Sequence, residues 1–357
     1  MKRLADICDI QYGYAFDSKC FTEDSSYPQL VRIRDVKRGY SETYYSGNYP
    51  EEYILSEGDL LIGMDGEFNI ARWKCSGALL NQRVCKLTTK VGTNEEYLRF
   101  AMLKSLKEIE QRTAFVTVKH LSAKELNKLE LDVPELTKQD KIADTLSRLE
   151  RVIEARKEEL EKLDELIKAR FVEMFGSIHD GKFEMKTLPE IVRNDKNSIK
   201  RGPFGGALKK DDFVDEGYLV YEQRHAIHND FDYAKYYITQ EKYEDMIGFK
   251  VVPGDLIISC SGVTLGRIAE VPNGAKAGII NQALLKLSLN QELMMNTFFI
   301  QQFRGEEIQE ILFGFSRGSG IPNMPSMSEV KAVKFVCPPL EMQKQYCDFV
   351  HQVDKSK

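Results

Sequence analysis

The chain carries the same sequence pattern twice, and this duplication limits what it can fold into. Three pairs of segments recur in the same order at a nearly constant offset: GDLLIGMDG with GDLIISCSG, ALLNQRVCKLTT with GIINQALLKLSL, and VPELTKQDKIADTL with CPPLEMQKQYCDFV. One match of this kind has little weight, but three in order indicate a repeated supersecondary unit. A chain of 357 residues has room for two domains, each with its own core.

Each copy is predicted to be a mixed α/β module. The run GDLLIG is typical of a buried strand, whereas VCKLTT and LLKLSL alternate apolar and polar residues as half-buried strands do. Helical stretches follow at 95–112 and 292–312, and Pro134 and Pro338 separate the last strand of each copy from the next helix. The predicted fold class is α+β, with two tandem mixed α/β domains.

A long helix is predicted between the modules, because residues 137–175 contain no Gly or Pro and Gly176 then supplies a stop. Its apolar positions alternate steps of four and three, as in a coiled-coil seam; a lone amphipathic helix packed on one domain is the alternative. The second copy begins the same pattern before Lys357, so we expect a truncated second helix. The seam residues are Ile142, Leu146, Leu149, Ile153, Leu160, Leu163 and Ile167, continued by Tyr346, Val350 and Val353.

The expected boundaries are 1–136 for the first module, 137–176 for the long helix, 177–338 for the second module and 339–357 for the start of the second helix. No segment has the length and apolar content of a membrane span, and the N-terminus lacks the pattern of a secretion signal. The seven cysteines are scattered without a C-x-x-C pair. We therefore expect a cytoplasmic protein with reduced thiols and no metal site.

Motifs for catalysis are missing from the sequence. There is no phosphate-binding G-x-x-x-x-G-K-[ST] loop and no G-x-S-x-G nucleophile elbow, and His225 and His228 lack further ligands to complete a metal site. CPPL at 337–340 is only superficially similar to the motif of amino-methyltransferases. The chain is therefore expected to bind rather than to catalyse, with a hydrolase of unrecognised site as a remote alternative.

Basic and aromatic residues concentrate in loops at comparable places of the two copies. The formal net charge of −5 argues against general affinity for polyanions, so a nucleic-acid binder of this composition needs such local clusters. Lys and Arg can neutralise phosphates, and Arg, Asn and Gln can contact base edges. The candidate DNA contacts are Tyr12, Tyr14, Lys19, Arg32, Arg34, Arg72, Lys119, Lys200, Arg201, Lys209, Lys210, Arg224, His225, Arg267, Arg317 and Asn323.

These features resemble one known family over essentially the whole chain, namely the specificity subunits of type I restriction-modification systems. The resemblance is carried by the opening LADICDIQYGYAFDSKCF, the EGDLLIGMDG segment, the PPLEMQKQ start of a helix, and the duplication itself. The resemblance implies two target-recognition domains that read an asymmetric, bipartite DNA sequence. It also implies methyltransferase (modification) subunits docked on the helices, restriction subunits, and no cofactor in this chain: S-adenosylmethionine would belong to the modification subunits, ATP and Mg to the restriction subunits.

Two other interpretations stay open at this point. The chain could be a coiled-coil scaffold whose paired domains bind proteins, in which case charge reversal at Arg32, Arg34, Lys200 and Arg201 would leave its function intact. It could also be the product of a truncated specificity gene from a locus that recombines, and then its assembly with modification subunits would be incomplete.

Overall fold

Short strands bounded by glycine turns form the framework of the chain. A computed structural model describes residues 1–112, 120–177, 180–204, 206–314 and 322–357. The chain divides into unit 1, Met1–Arg156, and unit 2, Lys157–Lys357. No helix within those residues is long and apolar enough to cross a membrane.

Unit 1 is built from short strands followed by helices. In chain order its elements are β1 (Lys2–Arg3), α1 (Leu4–Ile7), β2 (Cys8–Tyr12), β3 (Phe21–Thr22), β4 (Leu30–Val31), β5 (Tyr44–Tyr45), β6 (Ile54–Leu55), β7 (Leu60–Gly63), β8 (Asn69–Arg72), β9 (Ala78–Leu80), β10 (Val84–Thr89), α2 (Glu95–Arg112), α3 (Ala123–Lys128), β11 (Glu130–Leu131) and the first part of α4 (Leu136–Phe175). Short 3-10 helices lie at Ser18–Cys20, Ile33–Asp35 and Glu51–Tyr53.

Unit 2 repeats this arrangement. Its elements after α4 are β12 (Met185–Thr187), α5 (Leu188–Ile191), β13 (Ile199–Arg201), β14 (Phe213–Val214), β15 (Tyr218–Tyr221), α6 (Gln223–His228), β16 (Tyr237–Ile238), α7 (Gln240–Asp245), β17 (Lys250–Val251), β18 (Leu256–Ser259), β19 (Ile268–Glu270), β20 (Gly278–Ile280), β21 (Leu284–Leu287), α8 (Asn296–Arg304), α9 (Glu306–Phe313), α10 (Met327–Ala332), β22 (Lys334–Val336) and α11 (Leu340–Asp354). Two 3-10 helices lie at Lys210–Asp212 and Ile247–Phe249.

Strand order confirms the duplication. Unit 1 has a four-stranded antiparallel sheet in the order β2-β10-β7-β8, and unit 2 has β13-β21-β18-β19, which are the same strands in the repeat. A second sheet also recurs: β4-β9-β6, with β4 and β9 parallel, corresponds to β15-β20-β17 within a five-stranded sheet. A two-stranded ribbon, β1-β11 or β12-β22, completes each copy.

A repeated glutamine explains why the helix starts are so similar in sequence. Gln139 of α4 is buried, accepts a hydrogen bond from the Asn94 amide at 2.9 Å and donates to the Pro134 carbonyl at 2.8 Å. Gln343 of α11 does the same with the Met295 amide and the Pro338 carbonyl, each at 2.9 Å. Buried amides need such partners, so each helix start is tied to the loops beside it.

The long helix and its stop agree with the sequence, since α4 runs from Leu136 to Phe175 and Gly176 follows with a φ of 71°. The helical stretch predicted at 292–312 is instead divided into α8 and α9. Gly305, between them, is in an extended conformation with a ψ of 144°, and a residue in that conformation cannot continue an α-helix.

The seam prediction holds in one part of the chain. Ile167, Tyr346, Val350 and Val353 are buried in one hydrophobic core of unit 2, and Leu163 packs against that core. In unit 1, Ile142 and Leu146 are half-buried, whereas Leu149 and Ile153 are exposed, at 53% and 56%. Leu160 is also exposed, at 41%. The predicted stripe therefore includes both core residues and residues on an open helix face.

Strand β21 differs from its prediction as a half-buried strand, because all four of its residues are buried, Lys286 included. Core residues pack on both sides of it: Leu285 and Leu287 face one cluster, and Leu284 faces another. Lys286 donates to the Lys250 carbonyl at 2.8 Å and lies 3.8 Å from the Asp255 carboxylate. A buried ammonium group needs such partners, so the lysine is part of the core.

Candidate nucleic-acid interface

Three strand ends meet at one edge of the four-stranded sheet in unit 1. The register pairs Val84 with Gly63 and Cys85 with Tyr12, so β2 and β7 end where β10 begins. His120 and Leu121 also lie at this edge, since His120 forms an isolated bridge with Asp65 and the Leu121 amide donates to the Met64 carbonyl at 2.7 Å. We call the side chains and turns gathered there rim 1, defined by Gly13, Asp65, Asn81, Arg83 and His120.

A carboxylate organises the charges of rim 1. Asp65 is largely buried, accepts a hydrogen bond from Arg83 Nη1 at 2.6 Å and is also paired with His120 Nδ1. Arg83 has a φ of 67°, which is uncommon for a residue other than glycine. Its side chain is nevertheless 61% exposed. The guanidinium is thus held at one end and open to solvent at the other.

Rim 2 of unit 2 is defined by the equivalent positions, Gly202, Ser261, Asn281 and Asn323, together with Arg201. Ser261 and Asn323 form an isolated antiparallel bridge, as Asp65 and His120 do in unit 1. Arg201 Nη2 donates to Asn323 Oδ1 at 3.0 Å, and its guanidinium lies over the exposed ring of Phe204. An arginine is therefore held at this edge in both units.

Two close backbone approaches around the rims are equivalent in the two units. The Gly13 amide donates to the Val84 carbonyl at 3.0 Å, and the Gly202 amide to the Leu284 carbonyl at 2.8 Å. A Cβ added to Gly13 would lie 2.0 Å from the Asn81 carbonyl oxygen, and one added to Gly202 would lie 1.8 Å from that of Asn281. Only glycine permits this close approach. The repeat thus preserves the backbone of the edge and varies the side chains.

Several predicted contact residues lie on or beside the rims. Tyr14 is exposed next to Gly13, and Arg32 and Arg34 are exposed on either side of Ile33, which faces Gly63. Arg201 and Asn323 belong to rim 2 itself. Arg224 is exposed on α6 next to Gln223, whose Nε2 lies 3.3 Å from Ser261 Oγ, and Arg267 is exposed at the start of β19. The remaining exposed basic residues are Lys19 and Lys210, each in a short 3-10 helix, and Lys209, which directly precedes the second of these helices.

The prediction of a DNA contact at His225 is wrong. His225 is fully buried, its Nδ1 accepts from the Glu222 amide at 2.9 Å and its Nε2 donates to the Tyr233 carbonyl at 2.9 Å. Both ring nitrogens are therefore used inside unit 2, where the histidine fixes the start of α6 and the loop after it.

Arg72 remains a prediction, but its guanidinium is already paired within unit 1. Its guanidinium forms ion pairs with Glu95, at 2.7 Å, and with Glu96, at the start of α2. Burial alone would lower the pKa of Arg72, but the hydrogen bonds that it donates to Glu96 and Glu95 raise this pKa above its usual value. The residue joins β8 to α2 through two carboxylates, whereas Arg83 is paired with one and is more exposed.

Of four other predicted residues, two are only partly available and two lie outside the described part of the chain. Tyr12 is half-buried, and its hydroxyl accepts from Asn127 Nδ2 at 3.0 Å. The ammonium of Lys200 lies over the Phe249 ring. Lys119 and Arg317 lie outside the described residues.

Sequence reasoning missed Asp65, Arg83, Ser261 and Gln223. Arg83 directly follows the Asn-Gln pair of ALLNQR, a segment that the sequence marks only as part of the repeat. The available signal was the difference at the next position: Arg83 in one copy corresponds to Ala283 in the other. No group of three or more His, Cys, Asp or Glu that could hold a metal ion occurs in the part of the chain that the structure describes.

The fold and the rims define a protein with two homologous recognition modules, each presenting a variable edge on a constant backbone. Residues 1–165 and 202–357 match the family model described as the Type I restriction modification DNA specificity domain. The chain belongs to that family.

Individual relatives agree with this assignment. The Type I restriction enzyme EcoBI specificity subunit of Escherichia coli is 39% identical over 166 residues, which are 46% of this chain and 35% of that relative. The aligned part thus spans about a third of the relative's length. The fold is similar to the S subunit of the type I restriction-modification system from M. genitalium, with a TM-score of 0.55, 17% identity and coverage of 99% of this chain and 89% of that one. A second structure, from work on complex assembly and conformational transition of the type I R-M system, gives a TM-score of 0.53 at 16% identity over 99% and 90% of the two chains.

Proposed function

We propose that this chain is the DNA sequence-recognition subunit of a type I restriction-modification complex, and that rim 1 and rim 2 read the two halves of a bipartite target. One observation carries the proposal: the rims share their backbone bonding but present different side chains, Arg83 with Asp65 and His120 in one, Arg201 with Asn323 in the other. Two different readers on equivalent scaffolds imply an asymmetric sequence with a spacer between its halves.

The chemistry of the rims suits base edges, and that of the surrounding loops suits phosphates. Arginine and amide side chains can form paired hydrogen bonds with base edges in the major groove. Exposed lysines such as Lys19, Lys209 and Lys210 are compact charges that suit the DNA backbone, where contacts position the protein without specifying sequence. The net charge of −5 is compatible with this division, because the positive groups are local.

In this proposal the chain is not itself an enzyme. Modification subunits would transfer the methyl group using S-adenosylmethionine, and restriction subunits would use ATP and Mg. This chain would supply the target sequence and the docking surface. Because its substrate is cellular DNA, the complex would act in the cytoplasm.

Selection from random duplex DNA tests the function. The chain, bound to the modification subunits of its own system, is expected to enrich an asymmetric sequence in two parts separated by a fixed gap. The variant carrying Arg32→Glu and Arg34→Glu should weaken binding, because two exposed charges beside rim 1 are reversed. A protein-binding scaffold would be indifferent to that change. Enrichment of no half-site, with the partner bound, would contradict the proposal.

The exposed face of α4 is the part of unit 1 that we assign to the modification subunit. Leu149, Val152 and Ile153 lie together on this helix and are 53%, 59% and 56% exposed. Clustered exposed apolar side chains on one helix face are typical of a partner interface. In this proposal the exposed seam residues of α4 in unit 1 bind the modification subunit.

Changing this face is expected to break assembly without unfolding the chain. The double variant Leu149→Asp and Ile153→Asp should reduce co-purification with the modification subunit by at least about tenfold, since buried unpaired carboxylates at an interface are strongly unfavourable. Glu161→Lys, an exposed change on the same helix, is the matched control and should leave assembly intact. Unchanged co-purification of the double variant would show that the partner binds elsewhere.

A further inference from the structure

Each rim holds an arginine by a hydrogen bond from one terminal nitrogen, although the two arginines come from positions that are not equivalent in the repeat. Arg83 precedes β10, and the equivalent position in unit 2 is Ala283. Arg201 ends β13, and the equivalent position in unit 1 is Tyr12, since Tyr12 pairs with Cys85 as Arg201 pairs with Leu285. The two units thus place a guanidinium at the same edge of the sheet from different positions of the repeat.

The acceptor that holds each arginine also differs in origin. In unit 1 it is Asp65, in the turn after β7, at 2.6 Å from Arg83 Nη1. In unit 2 it is Asn323, the partner of Ser261 in the isolated bridge, at 3.0 Å from Arg201 Nη2. Asp65 corresponds to Ser261 in the repeat, and His120 corresponds to Asn323. The two acceptors therefore lie on different segments of the repeat, as the two arginines do.

A hydrogen bond from one nitrogen fixes the plane of the guanidinium, at Nη1 in Arg83 and at Nη2 in Arg201. Because Arg201 Nε is buried, the fork that this arginine can present consists of its two terminal nitrogens. A loose arginine loses rotamer freedom when it binds, whereas one already fixed by an acceptor loses less. The fork of donors matches O6 and N7 of guanine, and this pairing is the commonest specific contact in the major groove. The same fork can also bind a phosphate, but only a base contact makes discrimination at one position depend on the arginine. The φ of 67° at Arg83 adds a backbone conformation that is uncommon and is more frequent at functional sites.

We infer that Arg83 and Arg201 each read a guanine, one in each half of the target, and that Asp65 and Asn323 are positioning residues that orient the two guanidinium groups. The inference rests on the proposed DNA-recognition function. It adds which residues discriminate between bases and which base each one selects. Residues such as Lys19 then contribute to affinity alone.

Sequence selection by the complex of this chain with its modification subunits tests the inference. The wild-type chain should enrich a G·C pair at a fixed place in each half-site. Arg83→Ala should relax one such position, by about 5- to 150-fold in discrimination, and leave the other half-site unchanged. Arg201→Ala should do the converse. Arg83→Lys keeps the charge but not the fork, so it should relax the same position.

The positioning role has a separate readout. Asp65→Asn keeps an acceptor oxygen and should retain the G·C preference, whereas Asp65→Ala should reduce it while removing a negative charge from the DNA-facing edge. Thermal unfolding of each variant establishes that the fold persists. Lys19→Ala is the matched control and should weaken all sequences alike.

The possible failures are distinct. If the wild-type complex enriches a bipartite sequence but Arg83→Ala weakens every sequence equally, the arginine contacts phosphate and the inference is overturned, while the proposed function stands. A half-site without a G·C pair overturns it in the same way. If the wild-type complex enriches no sequence, the proposed function itself fails, and the inference fails with it.

Discussion

Asp255→Ala is expected to destabilise unit 2 by about 3–5 kcal/mol, the range found when one partner of a buried ion pair is removed. Asp255 is fully buried, accepts from Ser288 Oγ at 2.6 Å and from the Val252 amide at 3.0 Å, and lies 3.8 Å from Lys286 Nζ. Its loss leaves the buried ammonium of Lys286 with only the Lys250 carbonyl as its described hydrogen-bond partner. A buried charge with so few partners is strongly unfavourable.

Unit 1 supplies the control for this prediction. Asp59 and Lys86 are the equivalent pair, but their side chains are 16% and 23% exposed. Since solvent reaches this pair, Asp59→Ala should cost less than Asp255→Ala. Trp73, the single tryptophan, reports unfolding of unit 1 by fluorescence, and hydrogen exchange in β18 and β21 reports unit 2. If Asp59→Ala and Asp255→Ala lowered the unfolding free energy equally, burial of the ion pair would not determine the size of the effect.

The effect of Asp255→Ala should also depend on pH. Burial lowers the pKa of Lys286, and the nearby Asp255 opposes that shift. Without Asp255 the pKa of Lys286 in the folded chain falls further. Between this lowered pKa and the usual lysine pKa of about 10.4, the unfolded chain therefore binds more protons than the folded chain. Stability then rises with pH through that window. We therefore expect the difference in unfolding free energy between the wild type and Asp255→Ala to become smaller as the pH is raised from 7 towards 10.

Most of the fold was predictable because the duplication supplies its own alignment. A segment that recurs with its glycines and its apolar run intact marks a strand and the turn beside it, as for β7 and β18. The stop at Gly176 follows from the left-handed conformation that glycine tolerates. The break at Gly305 was harder to predict, because a single glycine within an amphipathic stretch is compatible with a continuous helix.

The site was less predictable because a charged residue does not reveal its partner. Arg72 and Arg83 are both arginines near strand ends, yet the first is neutralised by carboxylates of α2 and the second is held open to solvent. His225 lies in a basic and aromatic cluster and is nevertheless a core residue. Such pairings depend on contacts between residues far apart in sequence, and composition of a loop carries no information about them.

Tyr346→Ala is the second change with a large expected effect, about 3–5 kcal/mol of unfolding free energy, as for other large aromatic residues removed from a core. Tyr346 of α11 is fully buried. Its ring centroid lies 5.5 Å from that of Phe171 and 5.6 Å from that of Phe175, both on α4, and 6.1 Å from that of Phe298 on α8. Its hydroxyl donates to the Ile167 carbonyl at 3.2 Å.

Two milder variants separate the contribution of the Tyr346 ring to stability from that of its hydroxyl and from the effect of any substitution on α11. Tyr346→Phe removes only the bond to Ile167 and should cost about 1 kcal/mol. His351→Ala, an exposed change on α11, should stay within about 0.5 kcal/mol of the wild type. Urea unfolding followed by hydrogen exchange in α11 measures all three. If Tyr346→Ala were as mild as His351→Ala, the apolar positions of α11 would be a free docking face like Leu149 and Ile153, and the aromatic cluster would not be part of the stability of unit 2.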